Sequence, residues 1–206
     1  MKTMLKEAGI LFAITLIAGI LLGVVHEVTA EPIAKAEDDA KKQAWNEVFP
    51  EADSFNENED INGQNAESLT AAVQAEEYKA DINAVVSALD GSGNVLGYVI
   101  TVTDHEGYGG DIKFSMGVAN DGTLKGISLL SISETAGLGM KADPVLTSQL
   151  KDIKAEKISY TKTGKTSEDQ IDAISGATIT SNAVTNGVNA GLLAFRTVTG
   201  GGAANE

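Results

Sequence analysis

The amino-acid sequence predicts an α+β fold, in which an antiparallel sheet meander with flanking helices follows one N-terminal transmembrane helix. Residues 8–25 form an uncharged apolar run, several later segments rich in Val, Ile and Thr are separated by turn sequences, and residues 179–198 have helical periodicity. The chain has 206 residues, of which 43% are hydrophobic. That length allows one anchor and one domain with a substantial core.

The apolar run near the N-terminus is about 18 residues long, enough to cross a bilayer as a helix. Lys2 and Lys6 precede it and several acidic residues follow it. The positive-inside rule therefore predicts a cytoplasmic segment at residues 1–7, a transmembrane helix at 8–26 and an extracytoplasmic domain, held in the cell membrane by a single pass. A cleaved signal peptide is the alternative, but its apolar core is usually only about 7–15 residues long.

A second helical stretch follows the apolar run. Pro32 is expected to mark the exit from the membrane helix, residues 34–49 have helical periodicity with Trp45 near the apolar face, and Pro50 is expected to end this helix. We therefore expect three further regions. Residues 27–50 form a juxtamembrane helix or linker, residues 51–198 the extracytoplasmic domain, and residues 199–206 a flexible tail.

The charge pattern excludes some partners. The formal net charge of −14 argues against nucleic acid, whose phosphates would be repelled. Residues 43–78 contain many acids and no Lys or Arg. Such a segment is either a solvated, loop-rich face or a docking face for a basic partner, and the sequence leaves both interpretations open.

The middle of the chain alternates strand-like segments with turns. The predicted strands cover residues 82–89, 95–103, 111–119, 123–132 and 158–161. Phe114, Met116 and Val118 alternate with small or polar residues, which is typical of a half-buried strand. Residues 143–150, with Pro144 at the first helical position, predict a short helix.

The sequence contains no cysteine, which excludes disulfides, thiol catalysis and Cys-ligated iron–sulfur clusters. His26 and His105 lie far apart in sequence, and we expect the first near the membrane interface and the second in solvent. We expect no metal site and no catalytic residue. If the protein moves electrons, it therefore needs an organic cofactor.

Residues 172–178 read Asp-Ala-Ile-Ser-Gly-Ala-Thr and stand directly before the last helix. A helix N-terminus offers unpaired backbone N–H groups and a positive dipole end, so this position favours a phosphate. The alternative is a tight turn before an ordinary capped helix, with Ser181 as the N-cap residue.

Three segments in this order resemble a known family. They are the Gly-Tyr-Gly-Gly at 107–110, the Glu-Thr-Ala-Gly-Leu-Gly at 134–139 and the motif at 172–178. The chain resembles the FMN-binding domains of the G subunit of the Rnf electron transport complex and of the C subunit of the related Na⁺-translocating NADH:quinone reductase. The likeness runs from the N-terminal anchor to about Phe195.

The resemblance implies which residues bind FMN. Thr178 would carry FMN through a covalent phosphoester bond. The other implied cofactor-binding residues are Ser175, Gly176, Ala177, Glu134, Thr135, Gly137, Leu138 and Gly139. Tyr108 would stack or hydrogen-bond near the flavin, or is simply a turn aromatic. Asp172 would belong to the sequence that the flavin transferase recognises when it attaches FMN. It is also suited to an Asx turn.

The implied function is a membrane-anchored electron-transfer subunit within an ion-translocating ferredoxin:NAD⁺ oxidoreductase (Rnf) complex. Its partners would be the other membrane subunits, the flavin transferase during maturation and the lipid bilayer. One alternative is a stand-alone flavinylated carrier of another extracytosolic electron-transfer chain. An alternative of another class is a non-redox acidic binding domain on a membrane stalk.

Overall fold

A long helix opens the chain. In the computed structural model, which describes residues 2–57, 61 and 63–200, helix α1 runs without a break over Lys2–Val48. Pro32 lies inside α1, so the membrane helix and the expected juxtamembrane helix are one continuous helix. A proline removes only one backbone donor, and the Ala-, Glu- and Lys-rich sequence after it has high helix propensity. The helix does end just before Pro50, as predicted.

The chain divides into two compact units between Ala40 and Lys41. In the first unit, α1 carries the apolar run, and it is the one helix in the described part of the chain that is long and apolar enough to cross a membrane. None of its most apolar stretch is buried. Side chains such as Leu11 and Phe12 are more than half exposed, so they need an apolar environment from outside the chain.

The second unit contains a six-stranded sheet whose strands follow one another in chain order, each antiparallel to the next. The strands are β1 Ser54–Glu57, β2 Ala80–Leu89, β3 Val95–Asp104, β4 Ile112–Ala119, β5 Thr123–Ser131 and β6 Ile153–Lys154. The predicted meander is confirmed, and four of its strands lie within two residues of their expected bounds.

The described residues of the acidic segment at 43–78 include regular structure as well as loops. The segment contains β1 and helix α2, Ala66–Ala75, whose Leu69 and Val73 are fully buried. Asn65 and Ser68 form a capping box at the start of α2, with the Asn65 side chain accepting the Ser68 N–H at 2.8 Å. The two residues of this capping box are present in the sequence, but the acidic composition around them suggests a solvated segment instead of a helix.

Helix α3, Thr178–Val198, covers one face of the sheet. Its side chains pack on Phe114 and Met116 of β4, which are fully buried. The approach is close because a Cβ at Gly187 would lie 2.9 Å from the Phe114 ring, and one at Gly191 would lie 2.1 Å from the Met116 sulfur. The two glycines therefore set the distance between helix and sheet.

The last two turns of α1 cover the opposite face of the sheet. Trp45 and Phe49 are 2% and 3% exposed, and Cβ atoms at Gly97 and Gly117 would collide with Phe49 or the Val48 carbonyl. Strand β4 is therefore buried on both faces, and the prediction of a half-buried strand is wrong. The small residues that alternate with its apolar ones are needed to fit a helix against the second face.

A small parallel sheet links β7, Ser159–Thr161, to β8, Gln170–Asp172. Asn189 of α3 holds the approach to β7 through two hydrogen bonds to the Ile158 backbone, at 2.7 and 2.8 Å. The helix expected at 143–150 is shorter than predicted. A 3-10 turn at Gly139–Lys141 is followed by a single wide turn of helix at Asp143–Thr147, with Pro144 near its start as expected.

The C-terminal end of the chain bears on one further expectation. Helix α3 ends at Val198, and the Thr199 N–H still bonds the Phe195 carbonyl at 2.9 Å. Thr199, the first residue of the expected tail at 199–206, is therefore still bonded to the end of α3. Residues 201–206 lie outside the described residues.

Candidate functional site

A cleft of about 510 Å³ opens where the start of α3 meets two loops of the sheet. Its volume lies in the range of about 300–1,000 Å³ that is usual for cofactor sites. It is lined by Tyr108, Glu134, Thr135, Leu138, Gly139, Gly176, Ala177, Thr178, Ile179 and Thr180. The three sequence segments singled out above, far apart in the chain, thus meet in one place.

The start of α3 lines this cleft with free backbone donors. Ala177 is the N-cap residue and caps with no side chain, and the first intrahelical bond runs from the Ser181 N–H to the Ala177 carbonyl. Within the described residues, the amides of Thr178, Ile179 and Thr180 therefore have no acceptor. Such a helix start is suited to an anion, because its N–H groups and the dipole both favour negative charge.

Ser181 is not the N-cap, so that expectation is wrong. It lies in the first full turn of α3, where its fully buried hydroxyl accepts the Ile174 N–H at 2.9 Å and donates to the Ala177 carbonyl at 2.9 Å. The helix starts three residues earlier than Ser181 because Gly176, with φ of +79°, turns the chain directly into it. Ser181 thereby fixes the shape of the turn before Thr178.

The hydroxyls near the motif differ in availability. Thr178 is half-buried in the cleft wall and its hydroxyl makes no hydrogen bond within the described part of the chain. Thr180 is only 1% exposed, and Ser181 is engaged. Ser175 is exposed on the turn and does not line the cleft. Thr178 thus combines access with placement at the free amides.

The loop at 134–139 packs tightly around the Glu134 side chain. A Cβ at Gly139 would lie 2.6 Å from the Thr180 hydroxyl and 2.7 Å from Glu134, so only glycine fits between them. Gly137 favours glycine for another reason, which is its left-handed backbone with a φ of +77°. A Cβ at this position would meet open space. The loop leaves Leu138 42% exposed at the cleft.

The loop at 107–110 is joined to the loop at 134–139 through the same carboxylate. The Gly109 N–H donates to Glu134 Oε1 at 3.3 Å, and a Cβ at Gly107 would lie 2.9 Å from that oxygen. Tyr108 lines the cleft and is 69% exposed. An aromatic ring with this much solvent exposure has apolar surface that a ligand can contact.

Asp172 ends β8 and does not line the cleft. Gln149 brackets its backbone, accepting its N–H at 2.7 Å and donating to its carbonyl at 3.1 Å. Oδ1 of Asp172 is buried and has no hydrogen-bond partner among the described residues. The structure shows no Asx-turn bond from this carboxylate to Ser175 or Gly176.

Most of the residues expected at the site come together, and a few do not. Gly137, Ser175 and Asp172 lie outside the cleft lining. Ile179 and Thr180 line it but are not anticipated from the sequence, because a helix start at Ser181 leaves the first turn unassigned to the site. The motif that places Thr178 at a helix start also signals that the next two residues share that turn.

His105 is exposed in a bend after β3, as expected, but both of its ring nitrogens also have protein partners. Its Nδ1 lies 2.9 Å from Asp111 Oδ1 and its Nε2 lies 3.1 Å from Asp81 Oδ2. The hydrogen bond to Asp111 is the main reason that the pKa of His105 is raised, with the bond to Asp81 adding to it. The imidazole therefore ties three segments together beside the loop at 107–110.

Comparisons with known proteins match two parts of the chain. Residues 107–193 match the family of the FMN-binding domain, and residues 1–48 match the RnfG N-terminal region. The chain is 31% identical to the G subunit of the Na(+)-translocating ferredoxin:NAD(+) oxidoreductase complex of Acetobacterium woodii, over 95% of this chain and 93% of that protein. It is also 31% identical to the G subunit of the proton-translocating ferredoxin:NAD(+) oxidoreductase complex of Clostridium ljungdahlii, over 95% and 97%.

A solved structure is also similar. NqrC of Shewanella oneidensis superimposes with a TM-score of 0.47 and 23% sequence identity, covering 56% of this chain and 60% of that one. The sequence matches define a chain in which an RnfG-type N-terminal region precedes an FMN-binding domain. The chain belongs to the family of G subunits of ion-translocating ferredoxin:NAD⁺ oxidoreductase (Rnf) complexes.

Proposed function

We propose that this chain is the electron-carrying G subunit of an ion-translocating ferredoxin:NAD⁺ oxidoreductase, and that it carries FMN covalently on Thr178. The observation that supports this most is the start of α3, where an accessible hydroxyl and three free amides face one cleft. The relatives named above support the assembly, and the FMN-binding domain match supports the cofactor.

The residues present fit the phosphate end of FMN. A phosphodiester on the Thr178 oxygen keeps one negative charge, next to the amides of Ile179 and Thr180. The helix dipole stabilises such a charge by about 0.3–1 kcal/mol. A Cβ at Gly176 would lie 3.1 Å from Leu138, so glycine leaves room between the turn and the opposite wall.

The residues also fit the ring end of FMN. Leu138 and Tyr108 offer exposed apolar surface across the cleft from the helix start. The loops that carry them are joined through Glu134, which accepts the Gly109 N–H. When bound, FMN supplies one- and two-electron redox chemistry, and this chain supplies position, exclusion of water and hydrogen bonds that tune the potential.

Attachment requires a flavin transferase with FAD as donor. The Thr178 oxygen would form the new bond to the phosphorus of the FMN half, AMP would leave, and the hydroxyl proton would go to solvent or to a base on the transferase. Asp172 lies six residues before Thr178, at the start of the turn that presents it, and we assign it to recognition by the transferase. Gln149 holds its backbone in place.

The ring position is tested by Leu138→Ala. We expect the flavin to stay attached, since the bond is covalent, while its absorption spectrum or midpoint potential shifts because apolar contact with the ring is lost. Met140→Ala is a matched control, because Met140 is exposed to a similar extent, 43%, but does not line the cleft. Equal spectra and potentials in both variants and the parent would place the ring elsewhere.

Topology is tested by proteolysis. We propose that α1 spans the cell membrane with Lys2 and Lys6 in the cytoplasm and the FMN-binding domain outside. Protease added to intact cells, after any wall has been removed, should digest the domain. Digestion only in inverted vesicles would reverse the orientation.

Membership of a complex is tested by co-purification. Affinity purification of the full chain from its native membranes should bring multi-span membrane subunits with it. A flavinylated chain that purifies alone would favour the stand-alone carrier, and a chain without flavin that purifies alone would favour a non-redox binding domain.

A further inference from the structure

A carboxylic acid is buried at the end of β3, beside the cleft but outside its lining. Asp104 is 0% exposed. Its Oδ1 accepts the Glu106 N–H at 2.8 Å, while Oδ2 is buried without a hydrogen-bond partner among the described residues. Helix α3 covers it closely, since a Cβ at Gly187 would lie 3.3 Å from the Asp104 Cβ. In such surroundings an ionised carboxylate costs much more free energy than a protonated one.

The charged groups around Asp104 do not compensate for its burial. Glu106 and Asp111 are acidic neighbours that disfavour a second negative charge, and His105 is the nearby cation that favours it. Lys79 is engaged with Glu106 at 3.4 Å and is 72% exposed. Burial is the main cause that raises the pKa of Asp104 to about 7, with the Glu106 N–H acting against it.

Within the described residues, the remaining elements packed against Asp104 add no cation to it. On β4 its partner is Ile112, and Lys113 pairs with Thr103 on the other side of the strand. Helix α3 has a single charged residue, Arg196, which bonds the Glu156 carbonyl. Near Asp104, α3 presents Gly187 and the amide of Asn186, which donates to Glu106 at 2.7 Å. On the side of β2, Asp81 bonds His105.

The segment that contains Asp104 is tied to the cleft wall. The two side chains after Asp104 are held by Asp81, Asp111, Lys79 and Asn186, and the next residue is Gly107. Gly107 has almost no free space, because a Cβ there would lie 2.2 Å from the Gly110 carbonyl. The loop at 107–110, which carries Tyr108 and bonds Glu134 through Gly109, therefore has little room to adjust independently of residues 104–106.

We propose that Asp104 is a proton-binding site, and that loss of its proton moves the loop at 107–110 and with it the Tyr108 wall of the cleft. A group that binds a proton here makes the shape of the cleft depend on pH near neutrality. This inference concerns the protein without flavin and does not depend on the bond at Thr178.

The test is a titration by NMR of the full chain in detergent micelles, made as the Thr178→Val variant so that no flavin contributes. The Asp104 carboxyl carbon and the Gly109 amide should titrate together near pH 7, about three pH units above the ordinary Asp value of 3.8. In Asp104→Asn the Gly109 transition should vanish, whereas in His105→Gln it should persist. An Asp104 midpoint below pH 5, or a Gly109 transition unchanged in Asp104→Asn, would overturn the proposal.

A second variant covers the case in which Asp104→Asn does not fold. Glu106→Gln removes one of the charges that disfavours ionisation of Asp104 and keeps an oxygen for Asn186. The midpoints of the Asp104 carboxyl carbon and the Gly109 amide should both fall, by the same amount. Midpoints that move independently would show that Asp104 does not control the loop.

Discussion

The Ser181 hydroxyl and the Ile174 amide are joined by a buried hydrogen bond of 2.9 Å, which closes the turn in front of helix α3. The same hydroxyl donates to the Ala177 carbonyl. Residues 174–177 are thereby fixed to the first turn of the helix, and Thr178 is presented from a rigid position. The single side chain that sequence reasoning assigns to capping instead shapes the whole turn.

Removal of this hydroxyl should weaken the domain. Ser181→Ala leaves the buried Ile174 N–H without an acceptor, at a cost of about 1–3 kcal/mol in the free energy of unfolding. Urea denaturation followed by circular dichroism measures it. Ser92→Ala is the control, since Ser92 is exposed and should change stability by less than about 0.5 kcal/mol. A Ser181→Ala variant as stable as the control would show that the turn does not rely on this bond.

Alanine substitutions at the two glycines of the loop at 134–139 should have different effects on the bound flavin. Gly139→Ala places a Cβ against Thr180 and Glu134, so it should distort the cleft and shift the spectrum of the bound flavin as well as lower stability. Gly137→Ala meets open space and should cost only about 1–2 kcal/mol for its left-handed backbone. Absorption spectra together with thermal unfolding separate the two effects, and matching spectra would contradict this assignment.

The end of α1 should behave as part of the domain core. Trp45 is 2% exposed, lies against Phe55 with ring centroids 5.6 Å apart, and has the Lys41 ammonium 4.9 Å from its ring. Trp45→Ala in the full chain should therefore cost about 3–5 kcal/mol of stability, and Trp45→Phe much less. Chemical denaturation of the domain measures this. Equal stability of the two variants would make residues 41–49 a simple linker.

Stability should decrease as pH rises toward neutrality. The folded pKa of Asp104, about 7, exceeds its unfolded value of 3.8, so between these values the folded state binds the extra proton and stability is lost as pH increases. His105, whose pKa is also raised, contributes with the same sign above its unfolded value of 6.5. Unfolding measured from pH 4 to 8 should show a slope of at most about 1.4 kcal/mol per pH unit for each proton. Asp104→Asn should reduce the dependence of the free energy of unfolding on pH in the lower part of this range. A parent protein whose stability does not change with pH would contradict the burial argument.

The sheet could be predicted from the sequence because its central strands follow one another and pair locally. Alternating apolar residues and turns such as the one at 120–122 define β2 to β5 without any knowledge of distant contacts. Strands β1, β6 and β8 escape prediction because they are two to four residues long and exist only through pairing with a neighbour. The sequence does not predict helix α2, because the acids on either side of it suggest a solvated face, although α2 itself contains one acid, Glu67.

The site could be predicted in composition but not in geometry. The motif ending in Thr178 and the loops around Tyr108 and Glu134 are identified through their family resemblance. No local sequence pattern could show that Glu134 joins two loops or that Gln149 bonds the Asp172 backbone. Nor could it show that helix α3 covers Asp104 at Gly187. Each of these depends on a contact between residues at least 23 positions apart.

The central proposal is that Thr178 carries FMN, and the intact mass of the protein from its native host tests it most directly. The parent chain should be heavier than its sequence by one FMN less one water. Thr178→Val keeps the branched shape but has no hydroxyl, so it should have the mass of the bare chain while still reaching the membrane. Ser175→Ala should keep the added mass. Flavin mass retained in Thr178→Val, or absent from the parent in a host with an active flavin transferase, would contradict the account.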